Sequence, residues 1–397
     1  MPKLLSIAQA RDLVRETVVA LPTETVELDV ALGRVLAEDV IAAHDVAPFA
    51  SSAMDGFAVK AGPAGRTLPI VGESRAGHPA PRALQDGEAM RISTGALLPE
   101  GAEGVLQVER VRVDGDQVTL DDDVQPGRNI RAAGEDLKAG ATVLHAGQRL
   151  GPAELGIAVE AGRGELTVAV SPRVAVVATG DELADPGEPL GPGQIHNSNA
   201  TTLAALAMQA GARVFTVTGA EDTQDDTEEA LGVALDEADV VLISGGVSVG
   251  PHDHVKPALE ALGVRQVFWR VSLRPGKPTW FGERDGHLVF GLPGNPVSSM
   301  VTFLLFARPA LHALQGAPFA MATRQAVLTE AVERQPDRDE AIRVSLATGD
   351  DGRLLATPTG PQGSHILSSM VGADGLAIVE AGPGGVDPGT VVPVEPI

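Results

Sequence analysis

The hydrophobic positions near the start of the chain recur with a helical period. They are Leu13, Val14, Thr17, Val18 and Leu21. Ser6 and Gln9 have the spacing of a capping box, in which each side chain bonds the other residue's backbone N–H. Pro22 follows and cannot continue a helix. The pattern therefore predicts a helix over residues 6–21.

From about residue 26 to 168 the period changes to short alternating runs, such as those at 105–108 and 111–113. Turn pairs separate these runs, including Asp114-Gly115 and Pro126-Gly127. Alternation bounded by such pairs is typical of strands that are half buried. This part of the chain is predicted to be rich in β-structure.

Beyond about residue 171, buried-type strands alternate with helical patterns. Strands are predicted at 173–178, 214–217, 240–243 and 287–290, and helices at 199–211, 228–235, 255–262 and 297–314. This alternation predicts a parallel sheet covered by helices. After about residue 316 short alternating strands return. The predicted fold class is therefore α/β plus β, with a small C-terminal β module.

Composition narrows the classes of function. The 397 residues fit two to four domains, and 30 basic against 53 acidic residues give a net charge of −23. Such a charge disfavours nucleic-acid and anionic-membrane partners, which attract Lys and Arg. With no Cys, disulfides, Cys-ligated zinc, Fe–S clusters and thiolate nucleophiles are excluded. No leader-like segment or 18-residue apolar window is present, so we expect a cytoplasmic protein with no membrane partner.

Candidate chemistry follows the strands, because ligands of open α/β sheets bind beyond the strands' carboxyl ends. Three loops lie there, at 179–182, 244–250 and 291–296. The glycines of the second loop fit a phosphate cradle or an ordinary turn. In the third, Asn295 can cap and Pro296 suits the first helical position. This pattern indicates either an anion site at a helix N-terminus or a well-capped buried helix.

A basic segment contrasts with the acidic whole. Residues 261–282 contain no acid but four cations, namely Arg265, Arg270, Arg274 and Lys277. Prolines on both sides of Gly276-Lys277 stiffen the turn, which lowers the entropy cost of positioning charge. We interpret the segment as part of a pocket for an anionic substrate; the alternative is a solvated basic face.

Single acids occupy other loops: Asp55, Asp136, Glu182, Asp253 and the group Asp222, Asp225 and Asp226. If such carboxylates converge, they suit Mg²⁺, which prefers oxygen ligands and often shares them with phosphates. Taken one at a time, each also fits a cap or turn position.

Together these segments resemble the MoeA family of molybdopterin molybdenumtransferases, which includes the C-terminal part of gephyrin. The resemblance covers nearly the whole chain and is carried by PFASSAMDGFAV at 48–59, RISTGALLPEG at 91–101, GED at 134–136, TGDEL at 179–183, NSN at 197–199, SGGVSVG at 244–250, PGKP at 275–278 and GLPGNPVS at 291–298. This chain departs from the family at Phe57, where Tyr is common, and at Arg270 and Arg274, where some members have Lys. The segment 222–226 also stretches the family's usual Asp-Asp element, which leaves the match open among Asp222, Asp225 and Asp226; we take Asp222 because it lies nearest the strand end.

The resemblance implies an elongated multi-domain subunit. Its parts would be an N-terminal helix (1–21) packing on the α/β domain, a β-rich linking domain (22–40 and 141–168), an inserted β-rich domain (41–140), a three-layer α/β molybdopterin-binding domain (169–316) and a C-terminal β domain (317–397). It also implies a homodimer, whose active site forms between the α/β domain of one subunit and the 41–140 domain of the other. Other proteins of molybdenum cofactor biosynthesis are expected partners.

The implied reaction inserts molybdate into adenylylated molybdopterin and releases AMP, with Mg²⁺ required. Carried over to this sequence, the catalytic residues are Asp55, Asp136, Glu182 and Asp253, and the candidate metal ligands are Asp55, Glu182 and Asp253. The substrate-binding candidates are Thr94, Asp222, Ser244, Gly245, Gly246, Ser248, Arg270, Arg274, Lys277, Pro293, Gly294, Asn295 and Pro296. Two alternatives are a CinA-like nucleotide pyrophosphatase, which shares the TGDEL-type α/β domain, and a non-catalytic cofactor carrier or scaffold.

Overall fold

The N-terminal helix begins where its capping box predicts. A computed structural model describes residues 4–220, 223–247, 253–319 and 322–397, without the side chains of 216–220. The helix spans Ile7–Thr17, with the Gln9 N–H donating to Ser6 Oγ and the Ser6 N–H to Gln9 Oε1. It ends before Leu21 because Val18 is already extended. Its buried residues Ile7, Ala10 and Val14 join the core of the α/β domain.

Two separate stretches of the chain pair to form a linking unit. Thr23–Glu27 runs antiparallel to Glu165–Ala169, and Val40–Ile41 pairs with Thr142–Leu144. A short 3₁₀ turn, Leu28–Val30, and the helix Pro152–Glu160 complete the unit. A small core of its own forms between them.

The inserted segment between these stretches contains a six-stranded sheet. In spatial order its strands are Gly104–Gln107, Gly56–Val59, Ala89–Ile92, Thr67–Ser74, Gln117–Leu120 and Val111–Asp114. The predicted turn at Asp114-Gly115 is confirmed, since Asp114 pairs with Gln117 across a two-residue loop. A further ribbon joins Ser51–Ser52 to Ile130–Arg131.

The α/β domain is built on a six-stranded sheet. In spatial order its strands are Arg213–Ala220, Arg173–Thr179, Val240–Ser244, His287–Leu292, Trp280–Arg284 and Arg265–Trp269. The first four are the predicted strands and are parallel, which confirms the prediction, whereas the last two were not predicted and form an antiparallel edge. The reason is the Asp285-Gly286 turn, with positive φ at both residues, which is too short for a parallel crossover.

Helices cover both faces of this sheet. Ser198–Gln209 and the N-terminal helix pack on one face, together with the continuous helical segment Pro296–Thr302, Phe303–Ala307 (a π turn) and Arg308–Leu314. Gln224–Glu237 and Val255–Ala261 pack on the other face. The segment Pro296–Leu314 is long and apolar enough to cross a membrane, but 83% of that window is buried inside the protein, as in a core helix.

The C-terminal β module packs beside the basic segment. Its strands are Arg324–Leu328, Asp339–Thr348, Leu354–Pro358, Gly375–Val379 and Val391–Pro396, with a 3₁₀ turn at Leu367–Met370. The short strand Leu273–Arg274 joins this sheet, parallel to Asp339 and Glu340. This pairing ties the basic segment of the α/β domain to the C-terminal module.

Candidate functional site

A cavity of about 430 Å³ opens at the carboxyl ends of the parallel strands; we call it the strand-end pocket. All three loops singled out in the sequence contribute to it. Its lining comprises Thr179, Glu182, Leu183, Ile195, His196, Asn197, Ser198, Asn199, Ser244, Gly245, Gly294, Asn295, Pro296, His365 and Leu367. The structure thus brings Glu182 together with five of the predicted substrate-binding residues.

Asn199 fastens two of these loops to each other. Its Nδ2 donates to Ser244 Oγ at 2.8 Å and to the Gly294 carbonyl oxygen at 2.7 Å. Its Oδ1 is buried and has no hydrogen-bond partner among the described residues. An amide oxygen in this state leaves a hydrogen bond unmade at the wall of the pocket.

In the third loop, at 291–296, the Asn295 side chain has a different hydrogen-bond partner from the predicted one. Asn295 occupies the N-cap position and Pro296 the first helical position, but the Asn295 side chain makes no capping bond. Its Nδ2 instead donates to Ser364 Oγ at 3.0 Å, and the Val297 N–H donates to the Ser364 carbonyl oxygen. The predicted Asn295 side-chain cap is therefore wrong, because a loop of the C-terminal module takes its place.

A second cavity, also about 430 Å³, adjoins the first; we call it the basic pocket. Its lining comprises Arg274, Pro275, Gly276, Lys277, Pro278, Ser298, Arg338, Gln362, Gly363, Ser364 and His365. It presents three cations and no carboxylate among its lining residues. His365 lines both cavities, so the Ser364-His365 segment separates two neighbouring sites.

The wall of the basic pocket rests on a buried arginine. Arg343 is 1% exposed, and its guanidinium donates to Ser369 Oγ at 3.2 Å and to the Gly363 carbonyl oxygen at 3.4 Å. The Arg343 N–H also donates to Gln362 Oε1. Desolvation lowers the pKa of Arg343 to about 10, which leaves it charged at neutral pH.

Several predicted residues of the α/β domain line neither pocket. Arg270 has positive φ and places its guanidinium carbon 4.0 Å from the centre of the Trp269 ring. Lys256 Nζ lies at the same distance from that ring and 3.8 Å from Asp253 Oδ2. The Asp253 side chain is only 6% exposed. Gly246 and Pro293 adjoin lining residues without belonging to either set.

The acids of the inserted module form a separate group. Asp55 Oδ1 accepts the Thr94 N–H at 2.9 Å, and Asp55, Thr94 and Asp136 are all exposed. No hydrogen bond between described residues joins 46–137 to the α/β domain. Nor do the described residues contain any cluster of three His, Cys, Asp or Glu side chains suited to a metal. One chain therefore does not bring the proposed ligands Asp55, Glu182 and Asp253 together.

The acidic element after strand 213–220 is partly explained by helix capping. Thr223 caps the helix Gln224–Glu237 and bonds both the backbone and the carboxylate of Asp226. Asp225 lies in the same first turn, where a negative charge favours the helix. Asp222 and Ser248 lie outside the described residues.

Sequence reasoning missed the contribution of the C-terminal module. Four residues of that module form much of the wall of the basic pocket: Arg338, Gln362, Ser364 and His365. In the α/β domain, Asn199 and Ser298 were not among the predicted site residues, although they lie in the segments NSN and GLPGNPVS. A polar stretch rich in Gly and Pro at 359–365 was the available signal, because such loops often carry ligand contacts.

Comparison with known families covers the whole architecture. Three family models match: the MoeA N-terminal region (domains I and II) at residues 5–162, a probable molybdopterin binding domain at 175–313, and the MoeA C-terminal region (domain IV) at 325–397. They match in the same order as the quoted segments.

Similar proteins extend over almost the full chain. The molybdopterin molybdenumtransferase of Haemophilus influenzae is 35% identical, with 99% of this chain and 98% of that protein covered. Molybdopterin molybdenumtransferase 2 of Mycobacterium tuberculosis is 38% identical, with 94% of each covered. The crystal structure of the molybdopterin biosynthesis MoeA protein from Pyrococcus horikoshii has a TM-score of 0.82 at 30% identity, with 99% of both chains covered. The chain therefore belongs to the MoeA family of molybdopterin molybdenumtransferases.

Proposed function

We propose that this protein inserts molybdate into adenylylated molybdopterin and releases AMP. The observation that supports this most strongly is the pair of adjoining pockets. One is a cavity at the strand ends whose lining includes hydroxyl, amide and carboxylate groups, and the other carries three cations. A transfer between two anions needs two such sites within bonding reach of each other.

The basic pocket is the proposed molybdate site. Arg274 and Lys277 come from the α/β domain and Arg338 from the C-terminal module, so all three charges come together only where the two domains meet. Cations stabilise an oxyanion strongly when they are partly removed from water. Ser298 and Ser364 add hydroxyl groups that can donate hydrogen bonds to oxo ligands.

The strand-end pocket is the proposed site of adenylylated molybdopterin. Its loops are held by the Asn199 bonds to Ser244 and Gly294, so the cavity is formed before the substrate arrives. Asn199 Oδ1 is available to accept a hydrogen bond from a pterin or nucleotide N–H. The dithiolene of the substrate must reach the molybdate, and the two cavities share a wall at His365.

The oxygen-rich lining of the strand-end pocket fits Mg²⁺, which we propose as the cofactor. Glu182 is exposed there beside the hydroxyls of Thr179 and Ser244, and Mg²⁺ needs only one or two carboxylates when phosphates complete its shell. When bound, the ion would offset charge on the phosphoanhydride. Glu182 would hold the ion, and Asp253, which does not line this cavity, is proposed as a second ligand. A role of either acid in orienting water is also a proposal.

A second copy of the chain is proposed to complete the site. Asp55, Thr94 and Asp136 are exposed and make no hydrogen bond to those residues of their own α/β domain that the structure describes. Exposed Phe49, Met54 and Leu97 lie on the same loops, and such a patch marks an interaction surface. A homodimer would place these acids against the partner's strand-end pocket. Other cofactor-biosynthesis proteins are proposed partners, and a cytoplasmic location is proposed.

The activity is tested by incubating the purified chain with adenylylated molybdopterin, molybdate and Mg²⁺, and following AMP by chromatography. We expect release that requires both additions and that falls in Glu182→Gln. If the chain binds the substrate but releases no AMP with any metal ion tested, the result would instead support the non-catalytic carrier alternative. Cleavage of other nucleotide pyrophosphates at a similar rate would favour the pyrophosphatase alternative.

A further inference from the structure

Glu340 lies directly behind the basic pocket because two domains share a sheet there. Leu273 and Arg274 pair in parallel register with Asp339 and Glu340. Arg274 Nη1 lies 3.2 Å from Glu340 Oε1. Glu340 does not line the pocket, whereas Arg274 does. The carboxylate therefore lies behind the pocket wall and contacts that wall through Arg274.

Half of this carboxylate has no hydrogen bond. The Glu340 side chain is 11% exposed, and its Oε2 is buried with no hydrogen-bond partner among the described residues. Arg274, by contrast, is 42% exposed and keeps donors free to turn toward the pocket. A buried carboxylate oxygen without a donor is costly, and this cost falls when the group is protonated.

The groups that face Glu340 are mostly cations. Arg274, Arg338 and Arg343 favour its charged form, while burial and the exposed Glu333 oppose it. Burial is the largest effect, and the pKa of Glu340 is raised above its ordinary value. Two of the three cations, Arg274 and Arg338, also line the basic pocket. Arg274 and Arg338 therefore attract both the Glu340 carboxylate and any anion that binds in the basic pocket.

We propose that Glu340 is a positioning residue that holds Arg274 when the basic pocket is empty and takes up a proton when a dianionic oxyanion enters. The proposal rests on the proposed molybdate site. An entering dianion draws on the field of Arg274 and Arg338 and repels the Glu340 carboxylate. Protonation removes that repulsion and frees Arg274 to turn its planar fork toward the oxyanion.

The coupling has a definite direction. The bound state favours protonated Glu340, so oxyanion affinity is greatest at low pH. It weakens as the pH rises above the pKa that Glu340 has when the pocket is empty. With one group involved, the dissociation constant rises by at most about tenfold per pH unit. Above the pKa that Glu340 has when the pocket is occupied, the affinity becomes constant again, because the carboxylate is then charged in both the empty and the occupied state.

Calorimetric titration of the full chain with molybdate tests this coupling. Measuring the heat in two buffers of different ionisation enthalpy, from mildly acidic to mildly basic pH, gives the protons taken up per molybdate. We expect uptake in the wild type, none in Glu340→Gln, and tighter binding by that variant at high pH. Glu340→Asp retains a titratable carboxylate and should keep the uptake. Glu333→Gln removes an equal charge that does not touch Arg274, and should also keep it.

Two results would overturn the proposal in different ways. Normal molybdate binding with the same proton uptake in Glu340→Gln would refute the role of Glu340 and leave the proposed function intact. Molybdate binding that is unaffected by Lys277→Ala combined with Arg338→Gln would refute the pocket assignment, and this inference with it. AMP release measured in parallel shows whether the activity itself survives.

Discussion

The two hydrogen bonds by which the Asn199 side chain joins two loops of the strand-end pocket allow a quantitative prediction of loop stability. Asn199→Ala removes both Nδ2 hydrogen bonds, to Ser244 Oγ and to the Gly294 carbonyl oxygen. These bonds join the loops that follow strands 240–244 and 287–292. A backbone bond from the Gly245 N–H to the Leu292 carbonyl oxygen also links these loops, but no other side-chain bond between described residues does. The substitution should therefore loosen the loops locally without unfolding the domain.

The expected size follows from the two bonds. Each typically contributes about 0.5–1.5 kcal/mol, so the variant should lose about 1–3 kcal/mol of local stability. This corresponds to an increase of about 5- to 150-fold in opening of the loops. The affinity for adenylylated molybdopterin should fall by a similar factor at most, because part of its binding energy must then order the loops.

Hydrogen exchange read by mass spectrometry measures the opening directly. Peptides that contain Ser244–Val247 and Gly294–Val297 should exchange faster in Asn199→Ala. A matched control is Thr202→Ala, which removes only a bond from Thr202 Oγ1 to the Asn199 carbonyl oxygen within the same helix. Unchanged exchange in both loops, or equal changes in the control, would refute the role given to Asn199.

Three further predictions concern charge. Lys277→Ala should raise the molybdate concentration needed for half-maximal AMP release about tenfold, the lower end for one charge-assisted bond, whereas Lys60→Ala in the inserted module should not. Mixing the inactive variants Asp55→Asn and Glu182→Gln after subunit exchange should restore roughly a quarter of wild-type activity, because half the dimers carry one intact site of two; no recovery would contradict a shared site. Burial and two neighbouring arginines lower the pKa of His312 from 6.5 to about 4. As the pH falls, His312 therefore takes up its proton in the unfolded chain before it does in the folded one. Urea unfolding should show the free energy of unfolding fall by up to about 3 kcal/mol between pH 6.5 and about 4, and His312→Gln should abolish this loss.

The hydrophobic periods predicted most of the α/β domain, because each period reports which face of an element is buried. The capping box at Ser6 and the buried strand at 240–244 are examples, and both follow from local sequence. The antiparallel edge was missed because strands 265–269 and 280–284 lie in the segment interpreted only by its charge. Charge shows what a segment can bind, but not how its backbone pairs.

The site was only partly predictable for a different reason. Loops that follow strands of one domain meet at one sheet edge, so Glu182, Ser244 and Gly294 could be placed together from order alone. Arg338 and His365 reach the site through packing between domains, which local patterns do not encode. The Asn295 side chain bonds Ser364 rather than its own helix for the same reason.

The most direct test of the account is the rate of AMP release at fixed substrate and Mg²⁺ as molybdate is increased. We expect release that is negligible without molybdate and saturates as the basic pocket fills, with molybdenum recovered on the pterin product. Sulfate, a dianion of similar shape that cannot bind the dithiolene, should inhibit and not substitute. AMP release at full rate without molybdate would contradict the coupling between the two pockets.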